Sequence, residues 1–334
     1  MQNKKKSKSN IPRPNEPVGV WSGREIFETS PLNSVTIILR TVGCYWKNCL
    51  MCGFKNDCLP QVTSEDLRDQ IDQVFLSFPE DNEDLIVKIY TSGSFFDERE
   101  VPKAVQEEFL TRLGDDSRVR KVIIETRPEF VREDNISEYA SLFERFDIAI
   151  GVETSNDAIR ASCFNKNFSF KDFTHASGIA EEFGAGIKAY LLLKPPFLSE
   201  RSALEDVVRS SMDVSEYAST ISINLCNIQN HTKVYEMWQR GEYRPPWLWS
   251  AVEALIRVKS ELKETVILSD PLASGQRRGP HNCGICDSKV SDAIREFSLT
   301  QDVTVLERLD CNCRELFRKV IELEDKAFGA VMPY

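Results

Sequence analysis

This 334-residue sequence predicts an α/β fold, a full or partial barrel of parallel strands with a small cysteine-rich segment after it. Three observations carry that expectation. Short β-rich runs recur at residues 34–39, 85–90, 121–125, 147–152, 187–192, 220–225 and 265–268. Helical patterns lie between them, and six or seven such units suit a barrel better than an open sheet. The ten cysteines gather in ligand-like groups, which points to a reducing cytosol and to metal rather than disulfides.

Composition sets the outer limits. A hydrophobic content of 41% is ordinary for a globular protein. The formal charge of −10 excludes a generally basic nucleic-acid binder, although a local basic patch can still hold phosphates. No run of 18 apolar residues and no apolar core after the first lysines appear, so no membrane span or secretory signal is expected. A cytoplasmic location follows as the expectation. With three histidines in the chain, a histidine-based catalytic metal site is not expected.

Residues 1–17 are polar, with Lys4, Lys5, Lys6 and Lys8 followed by Pro12, Pro14 and Pro17. They are expected to form a flexible basic tail, either a solvated end or an arm touching RNA phosphates. Residues 18–275 would be the barrel and 276–334 a helical, cysteine-rich extension.

The first run leads into Cys44, Cys49 and Cys52, spaced C-x4-C-x2-C with Gly43 and Gly53 beside them. Three thiolates on one loop suit three irons of a [4Fe-4S] cube. The fourth iron would stay open to the amine and carboxylate of S-adenosylmethionine. An electron could then break the sulfonium C–S bond and release a 5′-deoxyadenosyl radical, with the cofactors carrying the hard chemistry. Two other readings stand beside this one: zinc with Cys58 as fourth ligand, and buried inert thiols.

The next elements follow in turn. A helix should start at Thr63 or Ser64, with Glu65 and Asp66 in its first turn and Leu67, Ile71, Val74, Phe75 and Phe78 on one face. Ser169 with Asp172 marks another helix start, and a further helix should run from Ser199 to about Tyr217. In barrels the chemistry sits at the C-terminal ends of the strands. Those ends carry Ser92, Gly93 and Ser94, then Glu125 and Arg127, Glu153, Lys194 and Asn224. Small residues at 92–94 let backbone come close to a ligand, where carbonyls and hydroxyls could hold an ammonium group. Glu125 and Glu153 could accept ribose hydroxyls, and an ion pair with Arg127 is the alternative. Lys194 would face a carboxylate or phosphate, while Asn224, Asn227 and Gln229 suit a base edge. Cys163 and Cys226 read as packing. The stretch from Tyr243 to Trp249 around Arg244 reads equally as a base-stacking loop or a loop packed on the core.

Cys283, Cys286, Cys311 and Cys313 give C-x2-C, 24 intervening residues and C-x-C. Four thiolates suit a closed tetrahedral zinc site. A second iron–sulfur cluster, four inert thiols, or His281 as a substitute ligand are the alternatives. Val290, Ala293, Ile294 and Phe297 between the pairs have helical spacing, and Leu316, Phe317, Val320 and Ile321 begin a last helix. So small a segment builds little core alone, and a metal staple makes physical sense. Arg277 and Arg278 just before it form either a basic patch or a solvated turn.

Taken together, Val42 to Phe54, Tyr90 to Asp97, Glu125 to Glu129 and Gly151 to Thr154 resemble the radical S-adenosylmethionine enzymes of the Elongator-like branch. Within that branch the chain is similar to the archaeal archaeosine-forming radical enzymes, from about residue 20 to the C-terminus. The cysteine spacing is one residue longer than the commonest pattern of the radical S-adenosylmethionine superfamily, C-x3-C-x2-C, and Ser92-Gly93-Ser94 replaces the usual Gly-Gly-Glu.

The resemblance implies a radical carbon–nitrogen lyase. Its substrate would be a 7-deazaguanine at position 15 of tRNA that already bears lysine through the side-chain nitrogen. Cutting the lysine C–N bond would leave archaeosine. Cofactors would be the [4Fe-4S] cluster at Cys44, Cys49 and Cys52, S-adenosylmethionine, and zinc. Partners would be tRNA, the lysine-transferring archaeosine synthase and an electron donor such as a ferredoxin. Alternatives are another Elongator-like tRNA base modification, or a zinc-stabilised RNA-binding adaptor without catalysis.

Overall fold

The computed structural model describes residues 12–324. Its one sheet has eight strands in sequential order: β1 (Gly19–Phe27), β2 (Ser30–Ile38), β3 (Leu85–Tyr90), β4 (Val119–Glu125), β5 (Arg145–Glu153), β6 (Gly186–Leu193), β7 (Thr220–Leu225) and β8 (Val266–Leu268). Strands β2 to β8 run parallel, and β1 pairs antiparallel with β2. The helices are α1 (Ser64–Leu76), α2 (Lys103–Gly114), α3 (Glu133–Ala140), the single turn α4 (Asp157–Ile159), α5 (Phe170–Glu182), α6 (Glu200–Ser215), α7 (Lys233–Gln239), α8 (Leu248–Glu261), α9 (Asp287–Thr300), α10 (Thr304–Glu307) and α11 (Cys313–Leu323). This is the partial barrel that the strand–helix alternation predicts. Strand β1 is the addition. It is a half-exposed edge strand with two glycines, and so lacks the apolar run that marks the others.

The helix starts follow local chemistry. Thr63 and Ser169 each close a capping box, with Asp66 and Asp172 respectively, satisfying amides that the first helical turn leaves free. Ser199 caps α6 by accepting from Ser202 N–H. The main core fills the space between sheet and helices: Leu67, Ile71 and Val74 of α1 meet Val35, Ile37, Val87 and Ile89 there.

Alternate strand residues face the barrel interior. At its floor Glu25 joins Lys88 at 2.7 Å and Lys188 at 2.5 Å. Burial alone would raise the Glu25 carboxyl; the ammonium groups of Lys188 and Lys88 outweigh it and hold the pKa down to about 2. Two residues further along β3 and β6, the hydroxyls of Tyr90 and Tyr190 meet at 2.6 Å. Ile86, Ile123 and Ala149 form a small apolar cluster inside the barrel.

The C-terminal segment shares the main core, which includes Val290, Ile294 and Phe297 of α9. Helix α9 touches β1, β2 and β8, and so lies across the two edges of the sheet. Its last turn caps the edge strand with side chains. Gln301 accepts from Ile267 N–H and donates to Ile267 O, while Ser298 Oγ accepts from Ser269 N–H and donates to Ser269 O. Edge amides are thereby paired within the chain.

Before β1, Asn15 and Gln73 are linked through the Asn15 carbonyl, and Gln70 donates to Pro14 O. The expected 1–17 tail is thus fastened to α1 at residues 14–15; Lys4, Lys5, Lys6 and Lys8 lie outside the described residues. No helix among the described residues is long and apolar enough to cross a membrane.

Candidate active site at the barrel mouth

The loop bearing Cys44, Cys49 and Cys52 follows β2 and is held from three directions. Cys44 N–H donates to Ser92 O at 3.2 Å. On a second side Leu50 N–H donates to Phe164 O, Trp46 Nε1 to Asn165 O, and Asn165 Nδ2 to Asn48 O. On the third, Leu50 O accepts from Lys233 and Val234 N–H at the start of α7, and Gly53 N–H donates to Gln229 Oε1 at 2.8 Å. Close approach explains the glycines. A Cβ on Gly93 would lie 2.6 Å from the Cys44 backbone, and one on Gly53 would strike Gln229. Gly43 adopts φ +77° with Cys58 packed against it. Cys58 Sγ is thereby turned toward Gly43 and Phe54 O.

All three loop thiols are free and partly exposed. Burial raises Cys49, and the nearby Lys166 ammonium opposes that rise. Burial pushes Cys52 up to about 12, and the charge of Cys49 adds to it. For Cys49 and Cys52 burial thus disfavours the thiolate, and a bound metal supplies the positive charge that offsets it.

Several of the predicted strand-end residues are already engaged by protein partners. Ser94 is fully buried and its hydroxyl accepts from Arg127 N–H. Ser92 presents its carbonyl to Cys44. Glu153, at φ +66° after an irregularity in β5, accepts from Lys166 Nζ at 2.7 Å. Burial lifts Glu125 to about 8; Lys166 lowers it, and Glu153 and Glu100 add to the rise. Arg127 pairs with Glu129 at 2.6 Å, not with Glu125 or Glu153, and lies over the Tyr45 ring.

Lys194 is placed differently from the expectation of an open lysine at the mouth. It is 5% exposed, with its ammonium 2.6 Å from Glu200 and 3.7 Å from Glu324. Asn224 is half-buried and its Oδ1 accepts from Ser222. Arg244 packs on Trp247 and donates to the carbonyls of Pro245 and His281, so of its two readings the packed loop holds.

Two residues that sequence reasoning missed brace the site. Lys166 is nearly enclosed and donates to Gly151 O and Glu153. Glu100 is 3% exposed; one oxygen accepts from Ser94 N–H at 2.8 Å and the other from Thr41 Oγ1 at 2.9 Å. It ties the start of the cysteine loop to the 92–94 loop. Neither belongs to a periodic pattern, and the only signal for Glu100 was its place in the loop after β3.

The second cysteine group converges tightly. Sulfur separations are 3.8 Å for Cys283–Cys286, 3.8 Å for Cys283–Cys311 and 3.7 Å for Cys286–Cys313. A tetrahedral ion with metal–sulfur bonds of about 2.3 Å sets its thiolates roughly 3.8 Å apart. The spacing therefore fits a single ion. An iron–sulfur cube puts each thiolate on a different iron and spreads them wider. Among the described residues, these four are the group of metal-binding type whose donor atoms all lie within 4.8 Å of one another. Trp249 Nε1 and Asn282 Nδ2 donate to Cys313 and Cys286, the kind of outer contact that orients ligands. His281 instead turns its Nδ1 to Gly279 O.

No family model matches the chain. It is 45% identical over 324 residues to the archaeosine synthase subunit beta of Methanosarcina acetivorans, covering 94% of this chain and 92% of that protein. It is 37% identical over 311 residues to the archaeosine synthase subunit beta of Thermococcus kodakarensis, covering 90% and 96%. Among solved structures it is similar in fold to an N-terminally deleted Elp3 of Methanocaldococcus infernus, with a TM-score of 0.51 at 18% identity, over 88% of this chain and 62% of that one. Likeness of that extent along nearly the whole length shows that the chain belongs to the archaeosine synthase subunit beta family.

Proposed function

We propose that this chain is a tRNA-modifying radical enzyme, a lyase that cuts the lysine C–N bond of a lysine-bearing 7-deazaguanine at position 15 to leave archaeosine. The observation that carries the reading is the three-thiol loop at the mouth of a partial barrel, fastened on three sides. The family name supports the product.

Cys44, Cys49 and Cys52 would hold a [4Fe-4S] cluster. When bound with S-adenosylmethionine, the cluster supplies an electron to the sulfonium C–S bond and hence a 5′-deoxyadenosyl radical. The chain's own residues bind, orient and exclude water. Ser92, Gly93 and Ser94 would border the amino-acid end of S-adenosylmethionine. Since the Ser94 hydroxyl serves Arg127, the loop's contribution would be mainly backbone. Glu125, raised by burial, would keep its proton near neutral pH and donate it to a ribose oxygen. Glu153 would accept a hydroxyl while Lys166 neutralises it. Asn224 would face the substrate, and Lys194 would reach a substrate anion only by leaving Glu200.

The four C-terminal thiolates would hold zinc as a structural ion. Residues 18–275 would then form the catalytic barrel, and residues 276–334 a metal-stapled closure across its open side. The partners in this reading are tRNA, the lysine-transferring archaeosine synthase subunit and a ferredoxin-type donor, in the cytoplasm.

Replacing Cys49 with alanine tests the reading. The variant should fold, lose the iron and form no 5′-deoxyadenosine under reducing, anaerobic conditions. Retained formation would remove the proposal.

A further inference from the structure

The chain carries −10 formal charges, so a phosphate backbone needs a particular place to approach. Several surface guanidinium groups are neutralised where they stand: Arg112 by Asp72, Arg257 by Glu205, Arg99 by Asp97. Arg277 and Arg278 differ. Among the described residues neither has a carboxylate partner within ion-pair distance. Their guanidinium groups lie over aromatic rings of α7, Arg277 over Trp238 at 5.2 Å and Arg278 over Tyr235 at 5.8 Å. Arg278 also donates to Asn230 Oδ1.

We propose that the exposed face of α7, together with the 277–278 turn, is the docking platform for the RNA strand that enters the barrel mouth. This rests on the tRNA reading above and gives it a location. Tyr235 and Trp238 lie 5.8 Å apart and are half-buried against Val234 and Met237, so the rings are fixed supports. A guanidinium laid on such a ring keeps its outward donors for phosphate, and ring and guanidinium together offer faces to an unstacked base. The one acid among residues 233–239, Glu236, faces Lys233 at 3.3 Å and does not quench the arginines.

The platform is joined to the cysteine loop by backbone. Lys233 N–H donates to the carbonyl of Leu50, directly after Cys49, at 3.0 Å, and Ile228 N–H donates to Arg278 O at 2.8 Å. Asn56, just after the loop, donates to Asn230 O. RNA held here lies beside the loop that carries the thiols. The rival surfaces are weaker: Arg244 is turned inward on two carbonyls, and Arg127 is paired and 6% exposed.

The test is fluorescence anisotropy of labelled, in vitro transcribed tRNA with the full, cluster-loaded chain over a salt series. Arg277→Ala/Arg278→Ala should bind about tenfold more weakly at low salt. The slope of log K against log salt should fall by about 1.5, as losing two phosphate contacts requires. Arg277→Lys/Arg278→Lys should keep the slope, having kept the charge, and still bind less tightly for want of the stacked fork. Arg257→Ala, neutralised elsewhere, should match the wild type. All variants should keep the tRNA-independent rate of 5′-deoxyadenosine formation, which excludes misfolding. Wild-type affinity and slope in the double alanine variant would overturn the platform and leave the tRNA reading standing. Failure of the wild type itself to bind tRNA would overturn both.

Discussion

Removing the Glu100 side chain should loosen the join between the cysteine loop and the 92–94 loop. Its two oxygens satisfy Ser94 N–H and the Thr41 hydroxyl, and both Ser94 and Thr41 are fully buried. A buried donor left without a partner costs about 1–3 kcal/mol, so Glu100→Ala should lose roughly 2–6 kcal/mol. Glu100→Gln is the informative control. Burial already lifts the Glu100 pKa to about 7, so the native group carries a proton for much of the time at neutral pH. A glutamine oxygen can still accept from Ser94, and its amide can donate to the Thr41 oxygen. The glutamine variant should therefore stay within about 1 kcal/mol of the wild type. Guanidinium denaturation of the two variants measures the difference, and 5′-deoxyadenosine formation shows whether the looser join reaches the chemistry. Equal stability of the alanine and glutamine variants would refute the bracing role.

Glu25→Gln leaves Lys88 and Lys188 together in the barrel floor without their counter-charge, and a broken buried pair costs about 3–5 kcal/mol. Spread over about 2.1 cal/mol/K per residue of unfolding entropy, that lowers Tm by about 4–7 °C. The wild type should also lose stability as pH falls from 4.5 towards about 2, because the folded Glu25 carboxyl is held below its ordinary 4.5. The variant should lack that part of the acid dependence, and calorimetry across pH would show it. Cys286→Ser should lose zinc while keeping iron and sulfide, as metal analysis would read, and should speed amide exchange in β8, whose backbone α9 caps. Loss of iron instead of zinc would assign the four thiols to a second cluster.

How much of this was legible in the sequence follows from where each signal lies. The parallel strands from β2 to β7 were readable because both their faces are covered and their runs are apolar. Strand β1 was not, because an edge strand with exposed polar residues has no such run. The helix starts near Thr63 and at Ser169 stood out because a cap residue and an acid within the first turn carry the whole signal. The C-terminal cysteine group was legible by spacing alone, and its four sulfurs converge as C-x2-C with C-x-C predicts. Lys166 and Glu100 were hidden because their partners, Glu153 and Thr41, sit 13 and 59 residues away. Closure of the barrel by α9 depends on Gln301 and Ser298 reaching β8 backbone, which no periodicity records. Lys194 stood at a strand end as expected, yet Glu200, the first residue of α6, captures its ammonium.

The most direct measurement is 5′-deoxyadenosine formation by the anaerobically reduced protein, with and without tRNA carrying the lysine-modified deazaguanine. The account predicts a large increase that requires the modified tRNA, with archaeosine appearing in that tRNA. Slow formation indifferent to the modified tRNA would contradict the substrate. No formation, from a protein containing zinc and no iron, would contradict the radical chemistry itself.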